Sequence, residues 1–324
     1  MIIKDKIYGK VAINDLVLIE LLKSPSLLRL KKMSNYGIPD KYYHYKGFSR
    51  YEHSVGVMIL LRRFGASLEE QIAGLIHDVS HLAFSHIADW VFSDGGNEGS
   101  NEDLQDVILE KFIKRTEIAK ILEKFNFSLK RILNKENFTL LERPIPDLCA
   151  DRIDYALREL RCSWGFKLKR LKNYLKKLIN LNGEIVFIDR KTAFDFAKDF
   201  LQLQIQHWDG YEQMVRYYLF SRALKISLRK KMIFKKDFFK DEEFILKKLE
   251  ESNDKEIKEI LNLLRKKKIG KIKRGSQKKI YKKFRYVDPK IILDGNLVRL
   301  SKINPKFQKM VDRHREINRK GFIV

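Results

Sequence analysis

The sequence is poor in cysteine and contains no long apolar run. Its two cysteines, Cys149 and Cys162, cannot form a disulfide framework, and their spacing matches no zinc motif. No segment approaches the ~18 uninterrupted apolar residues of a membrane span. Residues 1–6 lack the charged-then-apolar layout of a signal peptide. These absences predict a soluble, cytoplasmic protein of a reducing compartment that does not engage membranes.

Glycine and proline are also scarce, at 16 and 6 of 324 residues, and this scarcity favours helices over a many-stranded sandwich. An apolar stripe with helical periodicity is sustained over residues 194–227. Short β-like runs occupy residues 184–188, 284–287 and 290–293. The sequence therefore predicts a mostly α fold with a small α+β C-terminal part.

Acidic residues are too few to balance the basic ones, and the formal net charge is +25. The excess is concentrated in residues 221–324, which hold 33 Lys and Arg against 13 Asp and Glu. This shift predicts one domain over 1–224 and a basic C-terminal subdomain over 225–324. The segment Arg265–Arg285 has twelve basic residues and no acid, which suits nucleic acid, polyphosphate or a nucleotide. A solvated face of a lysine-rich protein remains the alternative.

Four of the seven histidines fall between positions 53 and 86, on otherwise apolar segments. If residues 71–90 form one helix, a single half of its helical wheel carries His77, Asp78, His81, Ser85, His86 and Asp89. Imidazole and carboxylate together suit Mn, Fe, Zn or Mg. Neighbouring residues on a helix lie about 100° apart, so His77 and Asp78 need further ligands from elsewhere, and His53 and Asp151 are candidates. The pattern predicts a divalent metal site.

Three strings identify a family resemblance. They are Arg50-x-x-His53-Ser-x-Gly-Val, His77-Asp78-x-x-His81-x-x-Phe-Ser-His86, and Asp151-Arg152-Ile-Asp-Tyr155. The chain resembles the HD-domain phosphohydrolases. Within them it resembles the deoxynucleoside triphosphate triphosphohydrolases, the branch that includes the mammalian SAM-and-HD-domain enzyme. The resemblance implies a helical HD-domain fold with its metal-site core at about residues 49–160, and a homo-oligomer.

The resemblance also implies a role for each matching residue. The implied metal ligands are His53, His77, Asp78 and Asp151. The positions that contact substrate phosphate or sugar are Arg50, Arg152 and Tyr155. His86 and His81 line the same pocket, with His86 a candidate acid near the leaving oxygen, and Asp89 matches a position that orients a catalytic histidine.

Two positions depart from the family pattern. Leu28 stands where the family has a glutamine that reads the sugar. Asn101 stands where a further catalytic histidine is expected, and an amide cannot shuttle a proton, so His86 or His81 would take that work. The first departure bears on sugar recognition and the second on activity.

The function implied is metal-dependent hydrolysis of nucleotides, with (d)NTP converted to nucleoside and tripolyphosphate. One alternative is an HD-type nuclease or phosphodiesterase in which the basic segment Arg265–Arg285 tracks single-stranded nucleic acid. Another is a catalytically degraded nucleotide- or RNA-binding protein, which Asn101 favours and the intact ligand set disfavours. The same basic segment also suits an allosteric nucleotide site.

Overall fold

The structure, a computed structural model, describes residues 1–92, 104–270, 279–280 and 283–323. Sixteen α-helices dominate these residues, which confirms the predicted mostly α fold. The helices are α1 Leu16–Lys23, α2 Pro25–Arg29, α3 Arg50–Arg63, α4 Leu68–Ile76, α5 Ser85–Phe92, α6 Leu104–Lys114, α7 Glu117–Lys124, α8 Leu129–Leu133, α9 Ala150–Cys162, α10 Leu168–Lys176, α11 Arg190–Leu203, α12 Tyr211–Arg229, α13 Glu242–Glu250, α14 Lys255–Leu264, α15 Leu300–Ile303 and α16 Pro305–Arg319.

Eight short strands accompany the helices. They are β1 Ile2–Asp5, β2 Gly9–Ala12, β3 Leu178–Leu181, β4 Glu184–Phe187, β5 Lys279–Ile280, β6 Lys290–Leu293, β7 Asn296–Arg299 and β8 Phe322–Ile323. β1 and β2 form an N-terminal hairpin, and β5 pairs antiparallel with β8. The largest sheet has the order β3-β4-β6-β7, and only its β4–β6 pair is parallel. Two predicted strands are thus confirmed as β4 and β6.

The predicted strand at residues 284–287 is wrong, because these residues have no strand pairing and follow an irregular path. Their aromatic rings pack on one another instead, and the centroids of Phe284 and Tyr286 lie 5.4 Å apart in a stacked arrangement. Aromatic and β-branched residues favour strands only where a pairing partner is in reach. Residues 284–287 have the composition of a strand, but in the described part of the chain no strand lies beside them to pair with.

Residues 71–90 do not form the single helix predicted for them. α4 ends at Ile76, residues 77–84 form a turn and a short connection, and α5 begins at Ser85. Phe84 and Ser85 have φ angles of 66° and 44°, which a continuous right-handed helix does not allow. The carbonyls of Val79 and His81 accept hydrogen bonds from the guanidinium of Arg29. Bonds from a distant side chain therefore replace the helical ladder here.

The long amphipathic stretch 194–227 also divides in two. α11 ends at Leu203, a π-helical turn spans Gln204–Trp208, and α12 begins after Gly210. A Cβ at position 210 would lie 2.4 Å from the carbonyl oxygen of Gln206, so the junction requires glycine. The apolar periodicity correctly predicts helix on both sides of this junction, but it does not reveal that the helix is interrupted there.

The buried apolar side chains form two clusters. The larger is built on α1, α3, α4, α9 and α11 and includes Val287, Ile291 and Phe307 from the C-terminal part. The smaller joins α5 to α12, α13 and α14. The predicted division between residues 224 and 225 falls inside α12 and stays a prediction. Among the described residues, no helix is both long and apolar enough to cross a bilayer.

Candidate metal centre

Helix α3 starts the site with two side chains one turn apart. Ser49 caps the helix by accepting a hydrogen bond from the amide of Glu52, and the Glu52 carboxylate accepts one from the amide of Ser49. This reciprocal cap fixes where the helix begins. Arg50 and His53 lie three residues apart on the helix, and both are buried.

Three separate elements bring one donor atom each to a common point. His53 comes from α3, His77 follows the last turn of α4, and Asp151 lies in the first turn of α9. One nitrogen or oxygen from each lies within 4.8 Å of the other two. His53 Nε2 is 2.9 Å from Asp151 Oδ1, and His77 Nε2 is 3.6 Å from the same oxygen. Ligands about 2 Å from one ion have such separations, so the three residues can hold a divalent metal.

Both imidazole rings are oriented by hydrogen bonds through their other nitrogen. His53 Nδ1–H donates to Asp154 Oδ2 at 2.8 Å, and His77 Nδ1–H donates to the carbonyl of Gly74 at 2.8 Å. In the neutral ring, a proton held on Nδ1 leaves the lone pair on Nε2 for a metal, which would take the place of any proton on that nitrogen. The donor set therefore fits a metal chemically as well as geometrically.

A buried charge network stands behind His53. Asp154 is fully buried and accepts hydrogen bonds from Arg158 Nε at 2.8 Å and from the Tyr8 hydroxyl at 2.7 Å. Arg158 also pairs with Asp5 at 2.8 Å, at the end of β1. The N-terminal hairpin is thus tied to the residue that orients His53, a candidate metal ligand.

The charges of the site shift its pKa values in opposite directions. Burial lowers the pKa of His53, but its hydrogen bonds to Asp151 and Asp154 outweigh burial and raise the pKa to about 10. Burial raises the pKa of Asp151, but hydrogen bonds from His53 and His77 hold it well below its usual range. Cationic partners stabilise the Asp151 carboxylate strongly, as a bound metal ion would.

Asp78, the fourth ligand implied by the family resemblance, lies beside this trio. Its Oδ1 is 3.3 Å from His77 Nε2, and its Oδ2 is 4.0 Å from His53 Nε2. The same carboxylate forms a 2.5 Å ion pair with Arg50. The role of Asp78 as a ligand stays a prediction.

The other predicted polar residues lie on the turn side of the site. Arg50 Nε donates to Ser85 Oγ at 2.5 Å, which connects α3 to the start of α5. His81 Nε2 lies 3.2 Å from Asp78 Oδ1, and burial, reinforced by the Arg50 charge, lowers the pKa of His81 to about 3. The rings of His81 and His86 are 5.7 Å apart. The structure therefore brings both candidate histidines together.

His86 differs from His81 in its exposure. Its side chain is 39% exposed, and its Nδ1 lies 3.5 Å from Asp89 Oδ2 one turn later in α5. The role of Asp89 in orienting a catalytic histidine stays a prediction. An accessible imidazole with a carboxylate behind it is the usual arrangement of a general acid or base.

Arg152 and Tyr155 follow Asp151 along α9. The Arg152 guanidinium donates to the carbonyls of Arg143 and Asp147, so part of its hydrogen-bonding capacity is spent on the preceding loop. The Tyr155 ring centroid lies 6.4 Å from that of His53 and 5.5 Å from that of Trp208. Tyr155 is thus next to the metal ligands, and burial raises the pKa of its hydroxyl.

Of the two positions that depart from the family pattern, only Leu28 lies among the described residues. Leu28 is 36% exposed on α2, and Asn101 lies outside the described residues. Sequence reasoning missed three participants, namely Asp154, Arg29 and Glu242. Asp154 had a signal, because it follows Asp151 by three residues and so shares its helix face. Arg29 and Glu242 had none, because they reach the site from distant parts of the chain.

Comparisons with known proteins agree with this geometry. Residues 50–158 match the HD domain family. The chain is 35% identical over its whole length to the uncharacterized protein YdhJ of Bacillus subtilis and covers 98% of that protein. Over 49% of its length it is 41% identical to the metal-dependent phosphohydrolase cns2 of Cordyceps militaris, covering 45% of it. Over 67% it is 24% identical to the human deoxynucleoside triphosphate triphosphohydrolase SAMHD1, covering 35% of it.

Proposed function

The chain belongs to the HD-domain superfamily of metal-dependent phosphohydrolases, and we propose that its substrates are nucleoside triphosphates, cleaved to nucleoside and tripolyphosphate. The observation that carries the proposal is the convergence of His53, His77 and Asp151 beside two histidines and a buried arginine. The similarity to SAMHD1 supports the nucleotide part. We place Asp78 as the fourth ligand.

Each group has a defined task in this proposal. A divalent ion held by the ligands would polarise a phosphoryl oxygen and ease the deprotonation of water. Water adds its oxygen to the α-phosphorus and loses a proton to the solvent, the bond from that phosphorus to the nucleoside oxygen breaks, and the nucleoside oxygen takes a proton from His86. His86 holds that proton, since its Nδ1 faces Asp89 and its Nε2 is left to donate. The buried His81 lies in the same pocket, and its contact with Asp78 fixes the orientation of its ring.

Arginines supply the remaining charge. Among the described residues, Arg50 donates to Asp78 and Ser85 with two of its five N–H groups, and we assign the others to the charge that develops on the phosphoryl oxygens. Arg152 and Tyr155 extend this surface along α9 toward the phosphate and sugar. The buried partners hold both guanidinium groups in place before substrate arrives, which is the condition for efficient electrostatic stabilisation.

The experiment that tests the proposal is product analysis. The purified protein is incubated with each ribo- and deoxynucleoside triphosphate and Mg²⁺ or Mn²⁺, and products are separated by anion exchange. Nucleoside and tripolyphosphate should form with the unmutated protein and with His314→Ala, a histidine change in α16. They should be absent with His77→Ala. Turnover by His77→Ala at the unmutated rate would refute the assignment, and cleavage of oligonucleotides alone would favour the nuclease alternative.

Partners beyond the substrate stay predictions. Of the basic segment Arg265–Arg285, residues 271–278 and 281–282 lie outside the described residues, so its nucleic-acid or allosteric nucleotide role rests on charge alone. The homo-oligomer and the cytoplasmic location likewise rest on the family resemblance and on composition.

A further inference from the structure

The connection between α4 and α5, residues 77–84, is here termed the HD turn. It carries His77, Asp78 and His81 and leads into Ser85 and His86. Three of its carbonyls, those of Asp78, Leu82 and Phe84, accept from backbone amides three residues further along. The carbonyls of Val79 and His81 accept from Arg29 instead, since its Nη2 donates to them at 2.9 and 2.8 Å.

The other arm of the Arg29 fork reaches a segment far away in sequence. Its Nη1 donates to the carbonyls of Phe239 and Lys240 at 3.1 and 3.2 Å. This segment also contacts the HD turn directly, because the amide of Ala83 donates to the carbonyl of Phe238 at 2.8 Å. One guanidinium thus joins the turn to residues 239–240 through four hydrogen bonds.

Glu242 completes the connection from the start of α13. Its Oε1 accepts hydrogen bonds from the amide of Phe84 at 3.3 Å and from the amide of Ser34 at 3.1 Å. The residue after Phe84 is Ser85, whose hydroxyl accepts from Arg50. The middle and the C-terminal end of the HD turn are therefore held by Arg29 and Glu242, which lie outside residues 50–158.

We infer that Arg29 is a positioning residue that sets residues 79–84 of the HD turn, and with them His81 and His86, at their working distance from His53, His77 and Asp151. The expected change in kcat rests on the proposed function, whereas the expected change in amide exchange does not. Four carbonyl acceptors on two sides require the planar fork of arginine, because an ammonium offers only three donors from one point. The Arg29 guanidinium also lies 5.3 Å from the Phe112 ring centroid.

The test compares Arg29→Ala and Arg29→Lys with Lys32→Ala. Lys32 is a matched control, because its Nζ pairs with Glu243 at 2.8 Å and so joins the same two parts of the chain without touching the HD turn. Three quantities are measured for each variant. They are amide hydrogen exchange by mass spectrometry, bound Mn²⁺, and kcat and KM for triphosphate hydrolysis.

Arg29→Ala and Arg29→Lys should speed amide exchange at residues 83–85 by at least about tenfold while α3 and α9 keep their protection. Bound Mn²⁺ should not change, kcat should fall about 10–100-fold, and KM should change less than about twofold, as expected for a lost supporting contact. Lys32→Ala should match the unmutated protein in every quantity.

Two results would overturn the inference. One is unmutated exchange at residues 83–85 in both Arg29 variants. The other is equal acceleration in α3 and α9, which would make Arg29 a general stabiliser. If Arg29→Ala does not fold, Arg29→Lys decides. If the unmutated protein hydrolyses no nucleotide, the proposed function fails, and the exchange comparison still decides the role of Arg29.

Discussion

Replacing Asp154 with asparagine tests how far the buried network supports the metal site. The carboxylate is fully buried and accepts three hydrogen bonds, from His53 Nδ1, Arg158 Nε and the Tyr8 hydroxyl. An asparagine turns one of the two oxygens into a donor, so at least one of these donors loses its acceptor. Removing one partner of a buried ion pair costs about 3–5 kcal/mol. Because Arg158 keeps Asp5, we expect the lower end, about 3 kcal/mol.

The same change should weaken metal binding more specifically. An amide facing His53 can donate to Nδ1, which moves the ring proton to Nε2 and blocks the ligand atom. Loss of such a supporting partner typically costs 10–100-fold in metal affinity, which corresponds to about 1.4–2.8 kcal/mol. The expected result is therefore a loss of both stability and affinity.

The assay pairs urea unfolding with calorimetric titration of Mn²⁺. Asp199→Asn is the matched control, because Asp199 is also buried and also accepts from an arginine and a tyrosine, Arg170 and Tyr174. It should lose stability and bind Mn²⁺ normally. The reasoning is refuted if Asp154→Asn binds Mn²⁺ as tightly as Asp199→Asn does.

Three further predictions follow from particular contacts. Gly56→Ala puts a Cβ 2.1 Å from Asp154 Oδ1 and from Arg158 Nη2. Although alanine favours helices, this clash should lower the free energy of unfolding by about 2–4 kcal/mol. An unchanged midpoint in urea unfolding would contradict this. Burial raises the pKa of Glu242 to about 8, so the folded state holds its proton up to higher pH than the unfolded state. The stability this contributes is complete below about pH 4.5 and is lost as pH rises through 8, by up to about 1.4 kcal/mol per pH unit. In urea unfolding from pH 5 to 8, the free energy of unfolding of the unmutated protein should fall with this slope, and Glu242→Gln should lack this contribution. If the two proteins lose stability in parallel, Glu242 is not the cause. His86→Gln should lower kcat about 10²–10⁴-fold with Mn²⁺ binding retained, and steady-state kinetics with a retained kcat would exclude His86 as the acid.

The sequence was sufficient where chemistry and local pattern agree. His53, His77 and Asp151 were found because their residue types are rare and their strings specific, and the structure brings them within ligand distance. Residues 194–227 are helical as their periodicity predicts, but they form two helices, α11 and α12, and not one. Local signals of this kind depend only on neighbours along the chain.

The failures share a physical cause in long-range contacts. The HD turn was predicted to be helical because its residues have the right periodicity, and the bonds from Arg29 that divert its carbonyls come from 50 and 52 residues away. Glu242 reaches Phe84 across 158 residues. Residues 284–287 have strand composition and no pairing partner. In each case a local pattern along the chain cannot show whether a distant group will be present or absent.

The span of the contacts behind His53 has a consequence for protein synthesis. Tyr8 and Asp154 are separated by 146 positions, and Asp5 and Arg158 by 153, so this layer cannot close until residue 158 has left the ribosome. Arg29 meets Phe239 only 210 positions later. A nascent chain of about 200 residues therefore has every candidate ligand and the layer behind His53 before residues 238–242 can contact Arg29 and the HD turn. We therefore expect the last third of the chain to complete the anchoring of the HD turn after the candidate metal ligands have been synthesised.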